Sequence, residues 1–324
     1  MQETDHTLTQ RASDLDSLLT RLEVDVVKLT ECLISPGWQL CFPASEWPAL
    51  HYSLDGCGEI KVGNAPAIAI RPHTLVIVPA LLPVSIEVTG GRGGTTSLNV
   101  EARQWTGDIG KTVRRIVAGE GEPATRVVCG YFRATYGVSI DLFKTLASPI
   151  VERFDVSDQL ASTLTSVVAE LNAAQVGMHA MTTALLKQVL VTLLRRSLKS
   201  SGLMMAGGPL PMLQDANIAR VFADMVARPG APHSLSTLSD TAGLSRSVFM
   251  TRFVHAVGHP PMAALRQLRM RQAADLLAAD VLSIEKVALA AGFSSRSSFV
   301  RAFRHAYGTD PSNYRAMALR PQTE

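Results

Sequence analysis

Two stretches near the C-terminal end place polar and cationic side chains at helical spacing and nearly repeat one another. Ser245-Arg246-Ser247-Val248-Phe249-Met250-Thr251-Arg252-Phe253 begins the first, and Ser295-Arg296-Ser297-Ser298-Phe299-Val300-Arg301-Ala302-Phe303 begins the second, 50 residues later. Followed through to Pro261 and Pro311, nine of seventeen paired positions are identical. Phe249, Phe253 and Val257, like Phe299, Phe303 and Tyr307, recur every four residues and so turn one helix face to a core. The opposite face of the first two turns is left to Arg246, Ser247, Met250 and Thr251 in one copy, and to Arg296, Ser297, Val300 and Arg301 in the other. Cations and short hydrogen-bonding groups on such a face are what neutralise phosphates and read base edges.

The elements around the repeat must hold those faces outward. Each copy follows a short apolar helix ending in glycine, Leu235 to Ala242 before Gly243 and Ile284 to Ala291 before Gly292, and each then opens with Ser as an N-cap. Helix, tight Gly turn and second helix is the helix-turn-helix pattern, whose second helix enters the major groove by its N-terminal part. Between the copies Met262 to Ala279 forms a helix bearing Arg266, Arg269 and Arg271. At 1.5 Å per residue it spans about 27 Å, close to the roughly 34 Å of one DNA turn. A stacked helical repeat is the structural alternative, but solenoid units lack an intervening rod and Arg-bearing faces. Charge agrees with the nucleic-acid reading: residues 210–324 carry 13 Lys+Arg against 8 Asp+Glu, and residues 1–209 carry 18 against 20.

The other 200 residues have a different character. A length of 324 residues suggests two domains at about 150 residues each. Short runs rich in β-branched residues, among them Trp38 to Phe42, His51 to Leu54, Glu59 to Val62, Ile68 to Ile70, Thr74 to Val78 and Ser85 to Val88, recur about every ten residues with Gly, Pro or Asn between them. They predict an antiparallel β sandwich or barrel. From Ser157 to Lys199 the apolar spacing becomes helical with a break at Gly177, predicting a helical hairpin that is either local core or a dimer seam. Gly202, Gly207, Gly208, Pro209 and Pro211 mark a linker. No apolar run reaches the roughly 20 residues of a membrane-spanning helix, and the polar, acidic start Met1-Gln2-Glu3-Thr4-Asp5 does not read as a secretory signal. The expectation is a cytoplasmic protein, nucleoid-associated when bound to DNA. Cys32, Cys41, Cys57 and Cys129 form no C-x-x-C pair and read as free thiols.

Residues 213–320 resemble the DNA-binding domain of the AraC/XylS family of bacterial transcription regulators. The likeness lies in Ala242-Gly243-Leu244-Ser245-Arg246-Ser247, in Leu268-Arg269-Met270 to Ala273, and in Ala290-Ala291-Gly292-Phe293 through Phe299-x-Arg301-x-Phe303 to Gly308-x-x-Pro311-x-x-Tyr314-Arg315. The N-terminal part resembles the cupin-type sensor domain of one branch of that family, through Trp38-x-Leu40, Phe42-Pro43, His51 to Gly56, Leu75 to Pro79 and Val128 to Phe132. The resemblance implies an α+β chain: a cupin-like antiparallel β-barrel with a helical hairpin, then an all-α domain with two helix-turn-helix motifs joined by a linker helix. The expected boundaries are 1–20 flexible, 21–156 cupin-like, 157–200 the hairpin with dimerisation as one role, 201–212 linker and 213–320 DNA-binding. It further implies a transcription regulator that binds promoter DNA, with Arg301 a DNA contact and Arg252, one place later than its counterpart Thr251, a contact to phosphate or base. The partners that follow are double-stranded DNA, a small-molecule effector, RNA polymerase if the protein activates, and a second copy of the chain.

Metal cupins supply His-x-His, a Glu and a later His. Here His51 is followed by Ser53, and Ala80 to Val84 after Pro79 contain no His. Glu59 and His73 remain as recruits, but the set is broken, and no nucleophile elbow, P-loop or dinucleotide fingerprint occurs elsewhere. No metal, cofactor or catalytic residue is expected. Trp38, His51 and Tyr52 are the candidate contacts for an uncharged or apolar effector in the barrel. A metal cupin enzyme with a DNA-binding tail, and a regulator answering to a protein partner through the hairpin, are the rival readings.

Overall fold

The computed structural model describes residues 16–90, 96–99, 115–155, 159–173, 176–200 and 210–319. The chain divides into two units. One comprises Glu23–Ala134 and Leu146–Pro209, the other Met1–Leu22, Thr135–Thr145 and Leu210–Glu324.

The first unit holds two sheets. Strands β1 (Glu23–Ile34), β3 (Ala49–Asp55), β6 (Thr74–Val78), β9 (Ile116–Ala118), β10 (Thr125–Tyr136) and β12 (Ile150–Arg153) lie in the order β12-β6-β3-β10-β1-β9; the last two residues of β10, Thr135 and Tyr136, belong to the second unit and pair there with β11 (Ile140–Asp141). The second sheet orders β5 (Ile68–Ile70), β4 (Gly58–Val62), β7 (Val84–Val88), β2 (Trp38–Phe42) and β8 (Thr96–Asn99). The expected antiparallel pairing holds for β3 with β6 and β10, and for β7 with β2 and β4. Two parallel pairs, β1 with β9 and β2 with β8, are added to it. Alternate residues of these strands, including Ile34, Leu40, Ile60, Val76, Ile86 and Cys129, form one buried cluster. Helices α1 (Gln159–Ala173) and α2 (Met178–Ser200) form the expected hairpin; Leu186, Val189, Leu190, Leu193 and Leu194 of α2 are buried. Val176 at the hairpin turn and Met181 remain exposed.

The second unit is helical: α3 (Pro211–Gln214), α4 (Ala216–Ala227), α5 (Leu235–Ala242), α6 (Arg246–Val257), α7 (Pro261–Ala278), α8 (Ile284–Ala290), α9 (Arg296–Tyr307) and α10 (Pro311–Ala318). Of the expected flexible N-terminus, residues 1–15 lie outside the described residues, as do residues 201–209 of the expected linker; Pro211 and Met212 already belong to α3. By its packing Thr135–Thr145 is part of this unit, although the sequence places it inside the stretch 21–156. Tyr136 is buried with its ring edge-on to Phe222 of α4, and Ser139 Oγ donates to Gln267 Oε1 of α7 at 2.8 Å. Phe222 meets Phe253, and Phe253 meets Phe249, so the first repeat is built around linked aromatic rings. Around the second repeat Phe299, Phe303, Met270, Leu277 and Val287 form a separate buried cluster.

Candidate nucleic-acid interface

Local signals set both helix-turn-helix frames. Ser234 and Thr237 make a reciprocal capping box at the start of α5, and Gly243, at φ 65°, closes that helix in the left-handed region. Ser245 Oγ then accepts from Val248 N to open α6. In the second copy Ser283 caps α8 by accepting from Lys286 N, and Ser295 caps α9 by accepting from Ser298 N. Gly292 has a tertiary reason as well as its φ of 76°: a Cβ there would come within 2.8 Å of the Arg269 guanidinium carbon and 2.9 Å of Gly230 O. Only glycine lets α7 and the α8–α9 turn approach this closely.

The inward faces are as expected, with Phe249, Phe253, Phe299 and Phe303 fully buried. The outward faces differ from each other. On α6, Ser247 and Thr251 are exposed and Met250 is half-buried. Arg246 is exposed, but its Nη2 donates to Ser236 Oγ of α5 at 2.9 Å. Arg252 Nε donates to Asp215 Oδ2 at 2.6 Å, and the same Asp215 caps α4 through Ile218 N. That guanidinium is therefore committed to joining α6 to the start of α4. On α9, Arg296, Ser297 and Arg301 are exposed and Val300 is half-buried. Neither Arg296 nor Arg301 has a hydrogen-bond or ion-pair partner among the described residues. Arg304 is held by Asp310, and Arg315 by Leu282 O and Asp280.

On the connecting helix the three arginines have separate roles. Arg269 turns inward and donates from Nε and Nη2 to Pro229 O and Ala231 O, both at 2.9 Å, and burial lowers its pKa from the ordinary value. Arg271 pairs with Asp275 four residues on, and Arg266 is exposed.

In the sheet unit the three candidate effector contacts do not converge. His51 pairs across the sheet with Cys129 and Val76 and faces the cluster between the sheets, its ring 5.4 Å from that of Phe42. Both its ring nitrogens are buried without a hydrogen-bond partner among the described residues, and burial pushes its pKa down to about 3. Tyr52, the next residue on β3, faces the opposite way and its hydroxyl lies 2.7 Å from His73 Nδ1. Trp38 is half-buried against the core cluster. Glu59 is exposed on β4, and among the described residues no group of three His, Cys, Asp or Glu is placed to hold a metal ion. Burial raises the Cys129 thiol pKa, and neighbouring Cys32 raises it further. A cleft of about 530 Å³ opens elsewhere on this unit, beside the ion pairs of Arg115 with Glu31 and of Arg126 with Asp55.

Comparison with known proteins gives two family matches in chain order: residues 14–199 match a cupin family and residues 238–317 a helix-turn-helix domain family. The RCS-specific HTH-type transcriptional activator RclR of Escherichia coli is 22% identical over 291 residues, covering 88% of this chain and 90% of RclR. The HTH-type transcriptional regulator MtrA of Neisseria gonorrhoeae is 27% identical over 299 residues, covering 90% of this chain and 96% of MtrA. The chain belongs to the AraC/XylS family of transcription regulators. It is a DNA-binding regulator with an N-terminal cupin domain. The regulator also shares 34% identity over 106 residues with AlkR of Acinetobacter baylyi, a match that covers 33% of this chain and only 35% of AlkR. Among solved structures, the DNA-binding domain of AdpA in complex with a target DNA is 34% identical, with a TM-score of 0.31, covering 32% of the regulator and 96% of that chain.

Sequence periodicity thus places the second helix of each helix-turn-helix motif but not the partners of its arginines. It also passes over Val248, which is 44% exposed on the outer side of α6. The available signal was its angular position: on a helix at about 100° per residue, Thr251 lies opposite the mean direction of Phe249 and Phe253, and Val248 lies about 60° from Thr251.

Proposed function

We propose that the regulator binds promoter DNA as one chain laid across two successive major grooves, with α6 and α9 as the recognition helices and α7 as the spacer. The observation that carries this reading is the pair of guanidinium groups, Arg296 and Arg301, exposed on the outer face of α9 with no hydrogen-bond or ion-pair partner among the described residues. A rigid 18-residue helix connects the two motifs. The exposed side chains of Ser247, Thr251, Ser297 and Arg301 supply base contacts, and Arg246, Arg296 and Arg266 lie where phosphates pass. Arg252, bonded to Asp215, acts on DNA indirectly by holding α6 in place. The cupin domain senses a small molecule or pairs two copies of the chain, and the regulator works as an activator that engages RNA polymerase. It has no catalytic role, and its place is the cytoplasm. No helix among the described residues is long and apolar enough to cross a membrane.

The test is binding of the full chain to genomic fragments across a salt series. The full chain is required because Tyr136 and Ser139 complete the helical unit. One fragment should be preferred, with affinity falling steeply as salt rises. Arg301→Ala should then weaken binding to that fragment by about 1–3 kcal/mol, the worth of a bidentate base contact. Unchanged affinity would remove Arg301 from the interface.

A further inference from the structure

The two recognition helices share a frame but offer different chemistry to a groove. On α6 the outward groups of the first two turns are Ser247, Val248 and Thr251, all exposed. Thr251 Oγ1 donates to Ser247 O one turn back at 3.1 Å, so the hydroxyl is spent on the helix itself. Val248 adds two more methyl groups. Both guanidinium groups of this helix are held by protein, Arg246 by Ser236 and Arg252 by Asp215. The corresponding positions on α9 are Ser297, Ser298 and Arg301. Ser298 Oγ bonds back to Ser295, while the Arg301 guanidinium has no protein partner among the described residues.

In the major groove a thymine presents its C5-methyl group, and a guanine presents the N7 and O6 acceptor pair that suits a guanidinium fork. Apolar contact reads the first, and bidentate hydrogen bonding reads the second. We infer that the two half-sites are chemically unlike: α6 selects thymine methyl groups through Val248 and Thr251, while α9 selects guanine through Arg301. The inference rests on the proposed DNA reading and adds what each half of the site contains.

Base analogues test it one functional group at a time. A duplex is first selected by the full-length chain from a random pool, and thymidines in it are replaced singly by deoxyuridine, which removes only the methyl. In the half-site read by α6, such a replacement should weaken binding about fourfold per contacted methyl, the worth of one buried methyl-sized group. Val248→Ala and Thr251→Ser should weaken binding to the thymidine duplex and be indifferent to its deoxyuridine counterpart. Both substitutions fall on exposed positions, and Ser keeps the bond to Ser247 O, so the fold is preserved. In the other half-site, 7-deazaguanine for one guanine should weaken binding roughly tenfold, and Arg301→Ala should abolish that sensitivity. Deoxyuridine replacements that change nothing in either half, or a methyl sensitivity that survives intact in Val248→Ala and Thr251→Ser, would overturn the inference and leave DNA binding standing. Failure of the chain to select any duplex would instead overturn the DNA reading, and this inference with it.

Discussion

Denaturation of the regulator at a series of pH values is expected to show stability falling by about 1.4 kcal/mol for each pH unit below about 6.5, reaching a loss of roughly 3 kcal/mol by pH 4. The cause is His51. Its imidazole is buried beside Phe42, Val76 and Cys129, with no hydrogen-bond partner for either nitrogen among the described residues, and its pKa in the fold is pushed down to about 3. In the unfolded chain the same ring takes up a proton near its ordinary value of about 6.5. Between these two values the unfolded state therefore binds one more proton than the native state. His51's contribution is complete above pH 6.5 and is lost progressively as pH falls toward 3. The decisive quantity is the difference between the protein and His51→Leu. That variant keeps an apolar group in the same place and has nothing to protonate there, so its stability should fall less steeply from pH 6.5 to 4.5; the slope that remains includes His259, whose pKa burial also lowers. Parallel curves for the two proteins would mean that the ring is hydrated or partnered in solution.

Phe303→Ala should cost about 3–5 kcal/mol of unfolding free energy, the usual range for deleting a buried aromatic ring. Phe303 is fully buried, and its ring lies 4.6 Å from that of Tyr307, 5.3 Å from Tyr314 and 5.6 Å from Phe299. Those rings seat α9 against α7 and α10, so their loss releases the helix that carries Arg301. Urea denaturation checks the energy. Hydrogen exchange localises it, with amides of α9 expected to lose more protection than those of α6, whose rings form a different group around Phe222. Arg301→Ala is the contrast: it should weaken DNA binding without moving the unfolding midpoint, because the side chain is exposed and has no hydrogen-bond or ion-pair partner among the described residues. A cost under 1 kcal/mol for Phe303→Ala would show that the second motif does not depend on this ring cluster.

Much of the DNA-binding unit was readable in the chain because its signals are local. The Ser caps at 245, 283 and 295, the αL glycines at 243 and 292, and the four-residue spacing of the phenylalanines all act within one or two helical turns. The strands from Trp38 to Val88 were legible for the same reason, since alternation and turn residues are neighbours in sequence. The parallel pairing of β1 with β9 joins Cys32 to Ile116, and no local pattern announces a partner so distant. Similarly, the Gly and Asn turns around the short strands give no hint that the stretch after β10 packs with helices.

What the sequence by itself determined is the duplicated frame: two helix-turn-helix motifs, the buried faces of their second helices, the rod between them and the basic balance of that end. Tertiary structure alone decided which charges are left to act. Arg252 meets Asp215 from 37 residues away, Arg269 reaches carbonyls 38 and 40 residues back, and Arg301 has no hydrogen-bond or ion-pair partner among the described residues. Likewise the sequence leaves His51 open as an effector contact or a strand residue of the fold, and its burial against Phe42, Val76 and Cys129 is decided only by the packing of the two sheets. The physical reason is common to both cases. A helix or strand is specified by groups a few residues apart, whereas the solvation and pairing of an ionisable side chain depend on whatever distant segment is packed against it.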